Sequence, residues 1–266
     1  MAKTKETETE LHIPALQQAS MRLRLIGTTP LFQNRMAEKA KQHLLTGKGK
    51  KTAAEKADLK HDPVTEFRSS MERVDAGPTA IGMRVVAVKA AMCTAALETA
   101  GITKTSAQRL IFMPGEFAPL YGVPQLRSDV VRSADINRTP DIRTRAFLPK
   151  WGVEIDVRFV MPQLSPSGIA TLLCNAGIVV GLGDFRQEKG KGSFGAFRVL
   201  GADEPDAEWD DLIANHARAA QMEAISNPVY ANDETAELME YFNAEASKRG
   251  AKRTMRVVQD DAVMHA

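Results

Sequence analysis

Gly181, Gly183, Gly190, Gly192 and Gly195 crowd one stretch of the chain that also carries Arg186, Lys189 and Lys191. Glycines admit a left-handed backbone and let another chain come close. Interleaved cations can neutralise phosphates, and the N–H groups between them can form a concave anion nest. A grip of that kind supplies affinity and register without reading bases. The nucleotide-binding motifs are not met: residues 185–189 run into Gly190-Lys191-Gly192, with no Ser or Thr after the lysine. The loop also precedes a strand, where a dinucleotide fingerprint would open a helix. The plainer alternative for this stretch is an ordinary flexible hairpin.

Two further segments concentrate charge. Residues 121–150 set Arg127, Arg132, Arg138, Arg143, Arg145 and Lys150 against Asp129, Asp135 and Asp141. Arg127, Arg132, Arg143 and Arg145 are candidates to hold phosphates, with the aspartates as local ion-pair partners. Phe117 and Tyr121 could stack on bases there, while Phe112 and Trp151 read as core or interface. Residues 46–60 carry many lysines and almost no large apolar side chain, so they cannot bury enough surface to offset the entropy of ordering. A basic, mobile insertion over residues 46–75 is expected, with a solvated loop as the bland alternative.

Catalytic constellations are scarce. The five histidines, His12, His43, His61, His216 and His265, are scattered, with no cysteine or second histidine at metal-ligand spacing. No metal, no cofactor and no nucleophile are expected, and the chain reads as a binder and not an enzyme. His43 and His61 alone could serve as a general acid or base for metal-independent cleavage, although an exposed surface histidine is the simpler reading of each. The two cysteines, Cys93 and Cys174, fall in expected helices as free thiols, which fits a reducing, cytoplasmic compartment. The polar start offers no signal peptide, and no apolar run approaches the ~20 residues of a membrane span.

The elements that must position these residues follow from periodicity. Residues 1–20 read as a flexible N-terminus. Residues 21–26 alternate apolar with basic, a half-buried strand; 31–45 suggest a helix; 85–100 a buried alanine-rich helix stopped by Gly101; 110–113 a short strand. Val153, Ile155, Val157 and Phe159 alternate with Glu154, Asp156 and Arg158 in a second clear strand. Ser165-Pro166 opens a helix ended by Gly177, and 195–199 form a last strand. From 201 an acidic run (203–211) leads into helices: it either complements a helix dipole or contacts a neighbouring subunit. This order suits an α+β chain with a ferredoxin-like (RRM-like) core at 21–200. Loop insertions at 46–75 and 115–150 and a helical C-terminal extension at 201–266 would decorate it.

Gly181-Leu182-Gly183 followed by Gly192-x-x-Gly195-x-Phe197, between the second helix and last strand of such a core, resembles the RAMP superfamily, and more narrowly the backbone subunits of CRISPR effector complexes. Residues 25–31 (Leu-Ile-Gly-Thr-Thr-Pro-Leu) and 83–92 resemble that family's opening strand end and long-helix motif. Asp141-Ile-Arg-Thr-Arg145 with Trp151 is similar to proteins of tailed phages. The resemblance covers residues 21–200. It implies head-to-tail homo-oligomers wound along single-stranded RNA or DNA. Lys89, Arg186, Lys189 and Lys191 would then lie on phosphates, and the insertions would act as finger and thumb in a host cytoplasm. It leaves open two alternatives: a metal-independent endoribonuclease of the same fold, and a protein that joins or caps a host nucleoprotein complex by imitating a backbone subunit.

Overall fold

In this computed structural model the chain is described at residues 15–36, 38–46, 60–132, 139–189 and 192–264. Eleven residues, β1 (Gln17–Gly27), form the central strand. Leu23 and Leu25 point into the core, while Arg22 and Arg24 take the other face, as strand alternation requires. β1 pairs antiparallel with β8 (Gly152–Met161) on one side and β9 (Phe197–Gly201) on the other. β8 pairs in turn with β4 (Ile111–Phe112) and β5 (Phe117–Tyr121), and β3 (Gly82–Arg84) lies beyond β5, giving the order β3-β5-β8-β1-β9. A second antiparallel sheet has the order β2-β7-β6, from β2 (Leu31–Gln33), β6 (Gln125–Arg132) and β7 (Pro140–Leu148). The chain is thus a mixed α+β protein.

The first three helices among the described residues are α1 (Glu38–Thr46), α2 (Pro63–Ser69) and α3 (Val85–Ala95). α4 (Lys104–Leu110) and α5 (Pro166–Val179) follow. α3 and α5 pack together over one face of the large sheet, and α5 also packs on β9. Gly177 makes that last contact possible: a Cβ there would sit 2.1 Å from the Phe197 carbonyl oxygen. Ser165 caps α5 by accepting from the Gly168 N–H at 3.0 Å. After β9 come α6 (Ala207–Asn215), α7 (Arg218–Ser226) and α8 (Asp233–Met264). Trp209 and Leu212 of α6 close over Ile26 and Tyr121 on the opposite face of the large sheet, at one end of it. No helix among the described residues is long and apolar enough to cross a membrane.

Several expectations are corrected. Leu31 opens a strand and not a helix, because Leu31 and Phe32 are both buried in edge pairing with β7; the helix begins only at Glu38. Residues 17–20 belong to β1, and residues 1–14 lie outside the described part. The insertion over 46–75 is narrower, since α2 brings Phe67, and Met71 after it, into the core; residues 47–59 lie outside the description. Most substantially, 115–150 is no loop decoration. It supplies β5, β6 and β7, with Leu120, Leu126, Ala146 and Leu148 fully buried. α3 stops at Ala95, short of Gly101, and Gly177 lies inside α5.

Candidate functional site

Alternation along β6 and β7 sends Leu126 and Ser128, with Ala146 and Thr144, towards the core, and the intervening residues to the opposite face. The register pairs Arg127 with Arg145 and Asp129 with Arg143 across that second face, next to Phe147 and, on β2, Phe32. The loop after α5 folds over this surface. The Asp184 N–H donates to the Phe32 carbonyl at 3.0 Å, and the Gly195 N–H to the Pro30 carbonyl at 2.8 Å. Two segments joined by a pair 39 residues apart in sequence, the arginine-bearing stretch and the glycine-rich loop, are therefore one surface.

Arg145 joins them. Its guanidinium donates to Asp129 at 2.8 Å and to Asp184 at 3.0 Å, lies 4.4 Å from the Phe32 ring centroid, and its side chain is 3% exposed. Arg127 donates to Asp129 at 3.0 Å and lies over Phe32, Phe147 and Phe194 at 5.3, 5.0 and 6.0 Å from their centroids. Phe185 is exposed with φ 59°, a left-handed backbone that bulky residues rarely adopt. Its ring meets Phe194 at 6.2 Å.

The loop's glycines serve the protein's own backbone. A Cβ on Gly192 would fall 1.4 Å from the Phe185 carbonyl oxygen, and one on Gly195 (φ 75°) 1.8 Å from that of Leu182. Gly183, also left-handed at φ 77°, passes against the Phe32 carbonyl, and Gly181, at φ 74°, against the carbonyls of Phe194 and Gly195. The N–H groups of Leu182, Asp184, Phe185 and Gly195 are all taken up internally. These four N–H groups are therefore not open to an anion, and the two ends of the loop are tied to the protein's own backbone. Of the loop cations, Arg186 is held by Glu188 at 2.6 Å and by the Gly183 carbonyl at 2.9 Å. The Lys189 side chain, Gly190 and Lys191 fall outside the described residues.

The expected phosphate-holding residues thus divide. Arg145 is buried and doubly paired, and Arg186 is paired, so neither guanidinium is free. Arg127 is half-buried with one edge open. Arg132 and Arg143 are exposed, and Arg143 makes no ion pair or hydrogen bond with a described residue. Lys89 turns away from the loop, with Nζ 5.6 Å from the Phe112 centroid. Phe112 was expected in the core or an interface and is 42% exposed, whereas Tyr121 is buried against Trp209. Trp151 is buried, its indole N–H donating to the Thr29 carbonyl at 2.8 Å. The alternation of β8 already placed Arg158 on a polar face, and that pattern was the available signal for a surface beside Phe112.

Arg143 also borders a cavity of about 420 Å³ lined by Asn34, Arg35, His61, Asp141 and Thr144. His61 bridges Glu66 (Nδ1, 2.8 Å) and Asp141 (Nε2, 3.0 Å), so both ring nitrogens are engaged by carboxylates. Asp141 is also bound by Lys60, and this hydrogen bond first, then His61, holds its carboxyl below the usual aspartate value against the opposing effect of burial. Among the described residues, no group of three His, Cys, Asp or Glu side chains could hold a metal ion.

Asp184 shows how the surface depends on charge. Burial pushes its carboxyl up, but Arg145, the Asn34 amide and the Phe185 N–H outweigh that and leave it lowered. A carboxyl lowered on folding adds stability that is complete above its unfolded value, about 3.9 for aspartate, and is lost as the pH falls through the native one. Urea midpoints should therefore stay level from neutrality down to about pH 5 and fall below it. Asp184→Asn should make that acid fall shallower; an unchanged profile would remove Asp184 from the account.

No protein-family model matches the chain, and no curated protein matches it.

Proposed function

We propose that this chain binds single-stranded nucleic acid through its backbone and assembles head to tail along it, in the manner of the RAMP-type backbone subunits that residues 21–200 resemble. One observation carries the reading. The two segments whose composition pointed to phosphate contact form a single surface, on which exposed Arg143 stands diagonal to Arg127 stacked on aromatic rings, while Arg132, also exposed, lies on the other face at the far end of β6. Single-strand binders combine such cations, which track the backbone, with rings on which bases stack. The strand order supports the finer fold reading. β1-α3-β5 and β8-α5-β9, in the sheet order β5-β8-β1-β9, is the arrangement a ferredoxin-like core requires, and β2, β6 and β7 are additions to it. A phage or other mobile element is the source the resemblance favours, and a host nucleoprotein complex is then a further possible partner.

The test is a fluorescence-anisotropy titration with labelled single-stranded RNA and DNA of equal length at two salt concentrations, with light scattering recorded alongside. Salt-sensitive binding with growth in particle size is expected. The Arg132→Gln, Arg143→Gln double variant should flatten the log–log salt dependence by about one unit per lost phosphate contact. Binding by the wild type with an unchanged slope in the variant would put the contact surface elsewhere. No binding at low salt would overturn the reading and bring forward a protein that joins or caps another complex.

A further inference from the structure

The large sheet has an open region on its outer face, away from α3 and α5 and beyond the part that α6 covers. Phe112 on β4 lies directly across from Arg158 on β8, and Arg158 from Ser20 on β1, so the three side chains form one row on one face. Ile111, on the opposite face of the same two-residue strand, is fully buried, which fixes Phe112 outward. Its ring is 42% exposed and carries the Lys89 ammonium 5.6 Å from its centroid. Arg158 is exposed and makes no ion pair with a described residue. Asp156, which borders the same depression as Arg158, is already engaged by Arg22 at 2.9 Å, and Glu116 by Arg84 at 3.2 Å. A depression of about 440 Å³ lined by Ser20, Arg22, Pro114, Asp156 and Arg158 adjoins the row. An exposed ring flanked by unneutralised cations is complementary to a flat, anionic partner and poorly matched to a lipid or an apolar protein face.

We propose that Phe112, Lys89 and Arg158 form a stacking site for one base of a single nucleic-acid strand, the cations taking the phosphates on either side of that base. The site rests on the reading of the chain as a single-strand binder but lies on a different sheet from the Arg143 surface. α3 connects the two. Its Ala87, Ala90 and Ala91 line a cavity of about 150 Å³ beneath Gly181, Gly183 and Arg186, while Lys89 leans towards Phe112.

The experiment compares wild type, Phe112→Ala, Phe112→Tyr and the Arg132→Gln, Arg143→Gln variant, as full chains, on labelled oligothymidine and on an abasic strand of the same length. Phe112→Ala should weaken oligothymidine binding about tenfold, the loss of one stacked base, while leaving the abasic strand unaffected, and Phe112→Tyr should restore wild-type affinity. If Phe112→Ala weakens both strands equally, the ring only supports the fold and the stacking site is wrong. If the arginine variant loses affinity and Phe112→Ala does not, this site is wrong while the broader function stands. If the wild type binds neither strand at low salt, both fall together.

Discussion

Arg145→Met is expected to lower unfolding stability by about 2–3 kcal/mol, below the ~3–5 kcal/mol of stranding a fully buried charge, because the Asp129 and Asp184 carboxylates left behind are 23% and 35% exposed. Methionine keeps most of the side-chain length and can still lie against Phe32. What it cannot do is neutralise Asp184 and Asp129, which Arg145 holds at 3.0 and 2.8 Å with its side chain 3% exposed. Asp129 retains Arg127 at 3.0 Å, so the uncompensated charge falls chiefly on Asp184. Adding Asp184→Asn to Arg145→Met should therefore recover part of the loss, a non-additivity that marks residues in one network. Urea denaturation of the single and double variants measures both quantities. A loss under about 1 kcal/mol, the scale of a surface pair, would show that Arg145 does not hold the two segments together.

The second large effect concerns Gln221, which is fully buried. Its Oε1 accepts from the Ala80 N–H at 2.7 Å and the Ile81 N–H at 3.4 Å. Its Nε2 donates to the carbonyls of Leu120 at 2.8 Å, Gly122 at 3.0 Å and, more weakly, His216 at 3.3 Å. One side chain thus satisfies backbone groups from the approach to β3, the end of β5 and the start of α7. Gln221→Leu preserves volume but strands the Ala80 N–H and the Leu120 and Gly122 carbonyls at about 1–3 kcal/mol each, while the His216 carbonyl keeps the Gly122 N–H at 2.9 Å, so a total loss of at least about 3 kcal/mol is expected in thermal or urea unfolding. Retention of wild-type stability would mean that water replaces the amide.

How much of this was legible in the sequence differs by element. β1 and β8 announce themselves because one of their faces is apolar and the other charged at strict alternation. α5 does so through its Ser165 cap and the spacing of Ile169, Leu172, Leu173 and Ala176. The hairpin of β6 and β7 did not, and Arg145 shows why: it is a charged residue at a buried strand position, so the period-2 pattern that β7 obeys in space reads as unpatterned charge in sequence. Gln221 carries no local signal, since its partners Ala80 and Ile81 lie 141 and 140 residues away. The same limit applies to the candidate site. Composition picked out the glycine loop and the arginines correctly as unusual. Which cations remain free was decided by Asp129, Asp184 and Glu188, whose pairings only the fold reveals. Phe112 was missed because a two-residue strand has too few positions to show which way it faces.

The position of β1 has a consequence for how the molecule is made. Its two neighbours are β8, whose first residue is 152, and β9, which ends at 201. Both edges of β1 therefore wait for partners that are synthesised much later in the chain. Contacts so distant in sequence must be closed at high entropic cost before they stabilise anything, which makes for slow folding. An open strand edge during that interval invites pairing with other chains. Arg22 and Arg24, alternating along the waiting strand, place like charges where two nascent copies would meet edge to edge, and so keep β1 available for partners that emerge more than a hundred residues later.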